Sequence, residues 1–309
     1  MVSTKSPLSL LLKPLITRNI RILTTGYQSK EGATGITERH KRRAALVLKL
    51  IGRSALPYLL ETLTHRSNTN EFISGVLARI GQPAIVAFME WLGPGHSANQ
   101  RRHAVAFLGE WHVTAAVAPL IALLRDDPDY QTRIAVTVAL GKLGQPEAIP
   151  ALLAALQQDE HESVRLFAAR ALGQFRDPAT VKPLIAALGT EDTHVQAGIS
   201  TALAELGDAR ALDPILATLA TFPARLRDRP HDLCWRVIAV LKALATFGDP
   251  RIAEPITAAV RAAAPLLDYV DERDTLYQTG NAALEAVGQP PIFSDEWLAG
   301  PGTSDAGEV

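Results

Sequence analysis

The amino-acid sequence predicts an all-α fold, a right-handed α-solenoid of about seven to eight helical hairpins. An apolar segment recurs about every 32 residues, and a second apolar segment with a proline near its start follows each recurrence. The composition agrees, because 47% of the residues are hydrophobic but only 6% are aromatic. Small aliphatic side chains let helices approach closely, and a hairpin of two short helices buries its apolar face by stacking on the next hairpin.

The first segment of each repeat is predicted to be the first helix of a hairpin, because its apolar residues recur at helical spacing. The position that closes this helix falls at Gly109, Gly141, Gly173, Ala204 and Ala245, which gives steps of 32, 32, 31 and 41 residues. The aligned stretches read RRHAVAFLGEW, TRIAVTVALGKLG, VRLFAARALGQFRD, VQAGISTALAELGD and WRVIAVLKALATFGD. This internal periodicity is the signature of a repeat architecture.

The second segment of each repeat is predicted to be the returning helix, and proline is tolerated in its first turn. The prolines of these segments are Pro119, Pro150, Pro183, Pro214 and Pro255. Two shorter units precede them, one with Gly52 and Pro57 and one with Gly81 and Pro83. A degenerate eighth unit at 275–293 closes the series.

The ends of the predicted helices carry their own signals. Gly144, Gly207 and Gly248 stand where a helix must stop, and glycine tolerates the left-handed conformation that ends many helices. Asp177-Pro178 and Asp249-Pro250 follow, and they combine a capping side chain with a proline suited to a first turn. These pairs are predicted to open the second helices.

The pattern VRxxAAxALGxxxDPxxxxPLIxAL at Val164–Leu188 resembles the HEAT-like repeat named after phycobilisome lyases. The resemblance covers roughly residues 39–290. It implies a solenoid whose second helices line a concave face. It implies no single function, because one fold serves many unrelated tasks.

Two relatives of this repeat type suggest alternative functions. Deoxyhypusine hydroxylase holds a di-iron centre with His-Glu pairs just after the arginine of a repeat, but His161-Glu162 precedes Arg165 and has no mate in a neighbouring repeat. The bilin lyases handle open-chain tetrapyrroles, and the resemblance to them lies in the repeat alone. A metal centre needs several converging ligands, so we predict no metal site, no cofactor and no catalytic residue. A tetrapyrrole chaperone or a metal-dependent hydroxylase relative stays an alternative.

Charge is distributed unevenly along the chain. Residues 1–53 hold eleven Lys and Arg against two acids, whereas the remainder holds 20 bases and 30 acids. Residues 1–37 are therefore predicted to be a basic arm or a cap, and an organelle-targeting sequence is a further alternative. Nucleic-acid binding through Arg39–Arg43 is another alternative, but the acidic remainder opposes it. Residues 38–290 form the predicted solenoid and 291–309 a tail.

Two places depart from the repeat and are candidate partner-binding sites. Trp111 and His112 stand where other units have leucine and glycine. The two residues either form a local binding spot or belong to a diverged repeat whose tryptophan fills the core. The 41-residue step marks an insertion at 221–232, which is predicted to be a loop. Its candidate contacts are Phe222, Arg225, Arg227 and Arg229.

The remaining charged residues are given structural roles. The repeat arginines Arg101, Arg133 and Arg165 are predicted to pair with acids of adjacent turns. The turn acids themselves are predicted to be solvated, namely Asp126, Asp127, Asp129, Asp159, Glu160 and Glu162.

The sequence as a whole favours a non-catalytic scaffold that binds a protein partner on a concave helical surface. The single cysteine and the lack of a long apolar run predict no disulfide within the chain and no membrane span. We expect a cytoplasmic protein. Its oligomeric state cannot be read from these patterns.

Overall fold

The computed structural model describes residues 8, 11–24, 38–64, 71–190, 192–225, 230–267 and 270–291. All regular elements in these ranges are helices, and none is a strand. The predicted all-α solenoid is confirmed. The chain divides into two compact units, Met1–Leu143 and Gly144–Val309.

Unit 1 is a stack of helical hairpins. Its described helices are α1 (Lys13–Thr24), α2 (Glu38–Ile51), α3 (Leu56–Thr64), α4 (Glu71–Ile80), α5 (Gln82–Trp91), α6 (Ala98–Glu110), α7 (Val117–Asp126) and α8 (Tyr130–Leu143). The first helices of hairpins pack on one another, α2 on α4 and α6 on α8. The helix α1 packs on α2 and α3 through its buried Ile16, Ile20 and Leu23. This part of the predicted N-terminal segment therefore belongs to the folded body.

Unit 2 repeats the same arrangement. Its described helices are α9 (Ile149–Gln158), α10 (Glu162–Gln174), α11 (Val181–Ala187), α12 (Thr193–Leu206), α13 (Leu212–Arg225), α14 (Pro230–Ala245), α15 (Ala253–Ala263) and α16 (Val270–Glu285). The first helices α10, α12, α14 and α16 stack in that order, and the second helices α13 and α15 pack together. Each hairpin thus shields the apolar faces of its neighbours.

The turn between the two helices of a hairpin follows the predicted chemistry. Gly144, Gly207 and Gly248 have φ of 62°, 67° and 62°, which confirms their left-handed conformation. In unit 2, Asp177 and Asp249 each accept a hydrogen bond from the backbone N–H two residues later, at 2.9 Å. They open a short 3-10 turn before the second helix, rather than that helix directly.

Small residues set the distance between stacked first helices. A Cβ added to Gly109 would lie 2.8 Å from the Cβ of Ala139, and one added to Gly173 would lie 2.9 Å from the Cα of Ala202. The backbones therefore touch at these repeat positions, and any larger side chain would push the helices apart. This contact explains why small residues recur at the position that closes the first helix.

The sequence predicts a loop at 221–232, but the described residues of this insertion, 221–225 and 230–232, are helical. Residues 221–225 extend α13, and α14 begins at Pro230. Helix α13 has 14 residues, whereas α9 has 10 and α11 has 7. The added residues continue the helical spacing of α13, and Phe222 is one of its fully buried side chains.

Candidate functional site

A cavity of about 530 Å³ lies beside α5 and α7 in unit 1. Both are second helices of their hairpins, the set that the sequence predicts to line the binding face. We call this cavity the α5–α7 groove. Its lining residues are Met89, Leu92, Gly93, Pro94, Arg101, Pro119, Ala122, Leu123, Asp126, Asp127 and Pro128.

The helical spacing of α7 divides its residues between the core and the groove. Leu120 and Leu124 are buried, whereas Ala122 is exposed and Leu123 is half-buried. Buried positions four residues apart lie on one face of a helix, so the intervening residues point elsewhere. On α5 the same logic buries Phe88 and leaves the side chain of Met89 for the groove. The groove is thus walled mainly by apolar side chains.

A buried ion pair lies at the groove. The Nε of Arg101 donates to Oδ2 of Asp127 at 2.6 Å, and its Nη2 donates to Oδ1 at 3.0 Å. The Nη1 of Arg101 donates to the carbonyl oxygen of His96 at 2.6 Å. The two side chains are 10% and 1% exposed. This bidentate geometry gives direction as well as attraction, and it holds the carboxylate in one orientation.

Asp127 also ties the pair to the next helix. Its Oδ1 accepts a hydrogen bond from the backbone N–H of Asp129 at 2.9 Å, and its carbonyl oxygen accepts one from Nη1 of Arg133 at 2.8 Å. The predicted pairing of Arg101 with an acid of the adjacent turn is therefore correct. The prediction that Asp127 is solvated is wrong, because the residue is 4% exposed and its polar atoms are occupied by these bonds.

A second ion pair lies beside the first. The Nη1 of Arg102 donates to Oδ2 of Asp129 at 2.7 Å, and the same oxygen accepts hydrogen bonds from the backbone N–H and the hydroxyl of Thr132. Burial acts to raise the pKa of Asp129, but the hydrogen bonds from Thr132 and Arg102 outweigh it and lower that pKa. Asp129 therefore stays ionised and caps the start of α8.

Unit 2 has an ion pair whose arginine stands at the repeat position of Arg101 and whose acid stands at that of Asp129. The Nη2 of Arg165 donates to Oδ2 of Asp192 at 3.0 Å, and its Nη1 donates to the carbonyl oxygen of Asp159 at 2.8 Å. Oδ1 of Asp192 accepts hydrogen bonds from the backbone N–H groups of His194 and Val195. The predicted pairing of Arg165 is correct as well.

Two overlapping segments of the chain match a known repeat family. Residues 85–165 and 149–229 match the family model described as HEAT repeats. The segment 85–229 is therefore similar to HEAT repeats. These segments include the α5–α7 groove and the ion pairs of Arg101 and Arg165.

Solved structures of two other proteins superpose on most of the chain. Kap121p bound to Nup53p matches over 91% of this chain and 34% of its own, with 13% identity and a TM-score of 0.58. The Kap95:Nup1 complex matches over 92% and 41%, with 18% identity and a TM-score of 0.50. This chain therefore spans about a third of the length of the Kap121p chain that it matches. At these identities the likeness shows the fold alone.

A third structure that is similar to this chain is that of a phycocyanin lyase. The complex of CpcE and CpcF of phycocyanin lyase from Nostoc sp. PCC7120 is 23% identical over 65% of this chain and 94% of that chain. Its TM-score of 0.40 is too low to support an argument. No curated protein matches this chain in sequence.

The predicted residues Trp111 and His112 lie at the end of α6. The Trp111 ring lies 5.8 Å from that of Phe88 and 5.3 Å from that of Phe107, measured between centroids, and Phe88 and Phe107 stack at 4.8 Å. Trp111 is half-buried in this cluster, whereas His112 is exposed with φ of 50°. Neither residue lines the α5–α7 groove. Their role in partner binding stays a prediction.

The predicted insertion residues belong to unit 2. Phe222 is fully buried, so it belongs to the core of its HEAT repeat and cannot contact a partner in this structure. Arg225 is the last residue of α13. Arg227 and Arg229 lie outside the described residues. The arginines therefore stay a prediction, and Phe222 is withdrawn from the set.

Sequence reasoning missed the α5–α7 groove and the burial of Asp127. The short run of acids and proline at 126–129 does carry a signal, since three of its four residues are aspartates. Two arginines, Arg101 and Arg102, precede Asp127 and Asp129 by 26 and 27 residues. Two adjacent arginines facing two acids indicate a double pairing that a single arginine does not.

Proposed function

We propose that the chain is a non-catalytic scaffold that binds a protein partner in the α5–α7 groove. The observation that supports it is the groove itself, with apolar walls and a charged pair held in fixed geometry. Apolar contact supplies the affinity of such sites, and a few oriented polar groups supply the specificity. A volume of about 530 Å³ holds several side chains of a peptide segment.

The shape of the fold favours a polypeptide over a small substrate. HEAT-type solenoids expose extended surfaces built from successive helices, and these suit another chain. Kap121p and Kap95, which have the same fold, are each seen with a protein partner in their structures. A partner segment with aliphatic side chains would meet Met89, Leu92 and Leu123 in the groove.

A random peptide library displayed on phage tests this proposal. Peptides selected on the wild-type protein are measured for their Kd against Ala122→Arg, which fills the groove from an exposed position of α7. The matched control is Ala118→Arg, on an exposed position of the same helix that does not line the groove. We expect at least a tenfold weaker Kd for Ala122→Arg and no change for Ala118→Arg. Selection of no peptide, or equal binding by both variants, contradicts the proposal.

The arginines of the insertion are proposed as a second contact with the partner. Arginine forks onto carboxylates, so Arg225, Arg227 and Arg229 suit an acidic segment. Replacing the three with serine should leave helicity and melting unchanged and weaken binding of any selected peptide that carries acids. Unchanged binding removes the insertion from the proposed function.

A further inference from the structure

The exposed face of α2 and of the turn that follows it is unusual for a solvated helix. Ala44, Ala45 and Leu48 are the buried stripe of α2. The exposed residues recur at spacings of three and four, so they share the opposite face. They are Arg39, Arg42, Arg43, Leu46, Lys49, Leu50 and Arg53. We call them the basic-leucine face.

The leucines of this region protrude far into solvent. Leu46 is 58% exposed and Leu50 is 79% exposed. Helix α1, which packs on α2, exposes Leu15, and Leu8 and Leu11 shortly before this helix are exposed as well. These five are more than half of the nine large hydrophobic residues that are exposed in the described part of the chain. Single exposed leucines are ordinary, but such a concentration marks an interaction surface.

The charge of the face restricts the chemistry of its partner. Residues 1–53 hold eleven bases and two acids. The partner must therefore be anionic, and it must also accept aliphatic side chains. Nucleic acids supply phosphates, but proteins bind their bases by stacking aromatic rings. The apolar residues of the basic-leucine face are both leucine.

We propose that the basic-leucine face docks the protein on an anionic lipid surface. Leu46 and Leu50 enter the boundary between headgroups and acyl chains, while the arginines and Lys49 reach the lipid phosphates with their charged ends. A lipid surface is continuous and deformable, so it meets protruding leucines on two helices without a matching set of pockets. This docking is independent of the partner proposed for the α5–α7 groove.

Sedimentation with lipid vesicles tests the docking. The probes are vesicles of phosphatidylcholine with 30% phosphatidylserine and vesicles of phosphatidylcholine alone, in 0.1 M salt. We expect binding to the anionic vesicles only. The variant Arg39→Gln/Arg42→Gln/Arg43→Gln should weaken it on the order of a hundredfold, because each basic residue near the surface contributes about a fivefold effect. The variant Leu46→Ser/Leu50→Ser should weaken it about tenfold.

A matched control separates the face from net charge. Arg125→Gln/Arg210→Gln/Arg251→Gln removes the same three charges from other exposed positions, and its binding to vesicles should equal that of the wild type. Melting of each variant, followed by circular dichroism, checks the fold. Release of the wild-type protein when salt rises from 0.05 to 0.5 M gives a readout that needs no variant.

Three results would overturn the proposal. The first is no sedimentation of the wild type with anionic vesicles at low salt. The second is an equal loss in the control variant. The third is tighter binding to a 20-base-pair DNA duplex or to polyglutamate than to the vesicles, which would assign the face to nucleic acid or to an acidic protein.

Discussion

Arg101 in unit 1 and Arg165 in unit 2 stand at the same position of the repeat, but their aspartate partners come from different positions of the adjacent turn. In unit 1, Asp127 pairs with Arg101, and a separate residue, Asp129, caps α8. In unit 2, Asp192 does both, because it pairs with Arg165 and caps α12. The side chains are 10% and 1% exposed in unit 1, against 23% and 16% in unit 2.

Division of the two tasks allows the unit 1 pair to be buried. A cap must face the first backbone N–H groups of a helix, which lie at the edge of the repeat. Asp127 does not cap a helix, and it accepts two hydrogen bonds from the guanidinium of Arg101. Asp192 accepts only one hydrogen bond from Arg165, at 3.0 Å. The difference therefore teaches that the same arginine position can take its acid from either of two turn positions, as a buried anchor in unit 1 and as a partly exposed pair in unit 2.

The largest expected effect follows from removing the two acids in turn. Asp127→Ala leaves the Arg101 guanidinium buried without its carboxylate, which should lower the free energy of unfolding of unit 1 by about 3–5 kcal/mol. Asp192→Ala loses a cap and a partly exposed pair, which together contribute about 2 kcal/mol. Urea unfolding monitored by tryptophan fluorescence and circular dichroism measures both. Equal losses in the two variants would refute the comparison.

A smaller effect is expected at the left-handed residues that end α6 and α10. His112 and Arg176 have φ of 50° and 51°, where the other repeats have glycine. His112→Gly and Arg176→Gly should each stabilise the protein by about 0.5–1 kcal/mol, because an L-residue is strained there. Histidine tolerates the conformation better than arginine does, so Arg176→Gly should gain more. Thermal melting measures the gain, and His112→Ala is the control that should show none.

The smallest effect concerns an exposed pair in a turn of unit 2. Hydrogen bonds from the side chain and the backbone of Arg210 lower the pKa of Asp208 from 3.8 to about 2. A lowered pKa contributes stability above pH 3.8, which is lost as the pH falls towards 2. Arg210→Gln should raise this pKa part of the way to 3.8, since the backbone N–H still donates. Carboxyl carbon NMR follows the titration, and an Asp208 pKa that does not rise in Arg210→Gln contradicts the prediction.

The position of a residue within the repeat could be predicted from the sequence, but how deeply its side chain is buried could not. The glycines at 144, 207 and 248, the aspartate–proline turns and the pairing of Arg101 and Arg165 with acids of adjacent turns follow from the alignment of the repeats, although which acid takes part does not. Burial depends on what the neighbouring repeat supplies. Asp126, Asp127 and Asp129 look alike in the sequence, yet Asp127 alone is buried. Phe222 is likewise predicted to lie in a loop, but α13 continues through it and buries its side chain in the core.

The groove could not be predicted for a related reason. Its walls come from α5 and α7, which are separated by a whole helix, and its apolar residues are ordinary members of a helical pattern. Periodicity shows which residues of a helix face away from the core. It does not show where the outward faces of two helices enclose a cavity.

The double attachment of Asp127 has a consequence for how the α5–α7 groove meets a ligand. Because Arg101 of α6 and Arg133 of α8 hold the same residue, this part of the groove is already ordered before anything enters. The loss of conformational freedom on association then falls on the incoming segment, not on the receptor. We therefore expect that shortening or cyclising a ligand would change its affinity more than any stiffening of the protein could.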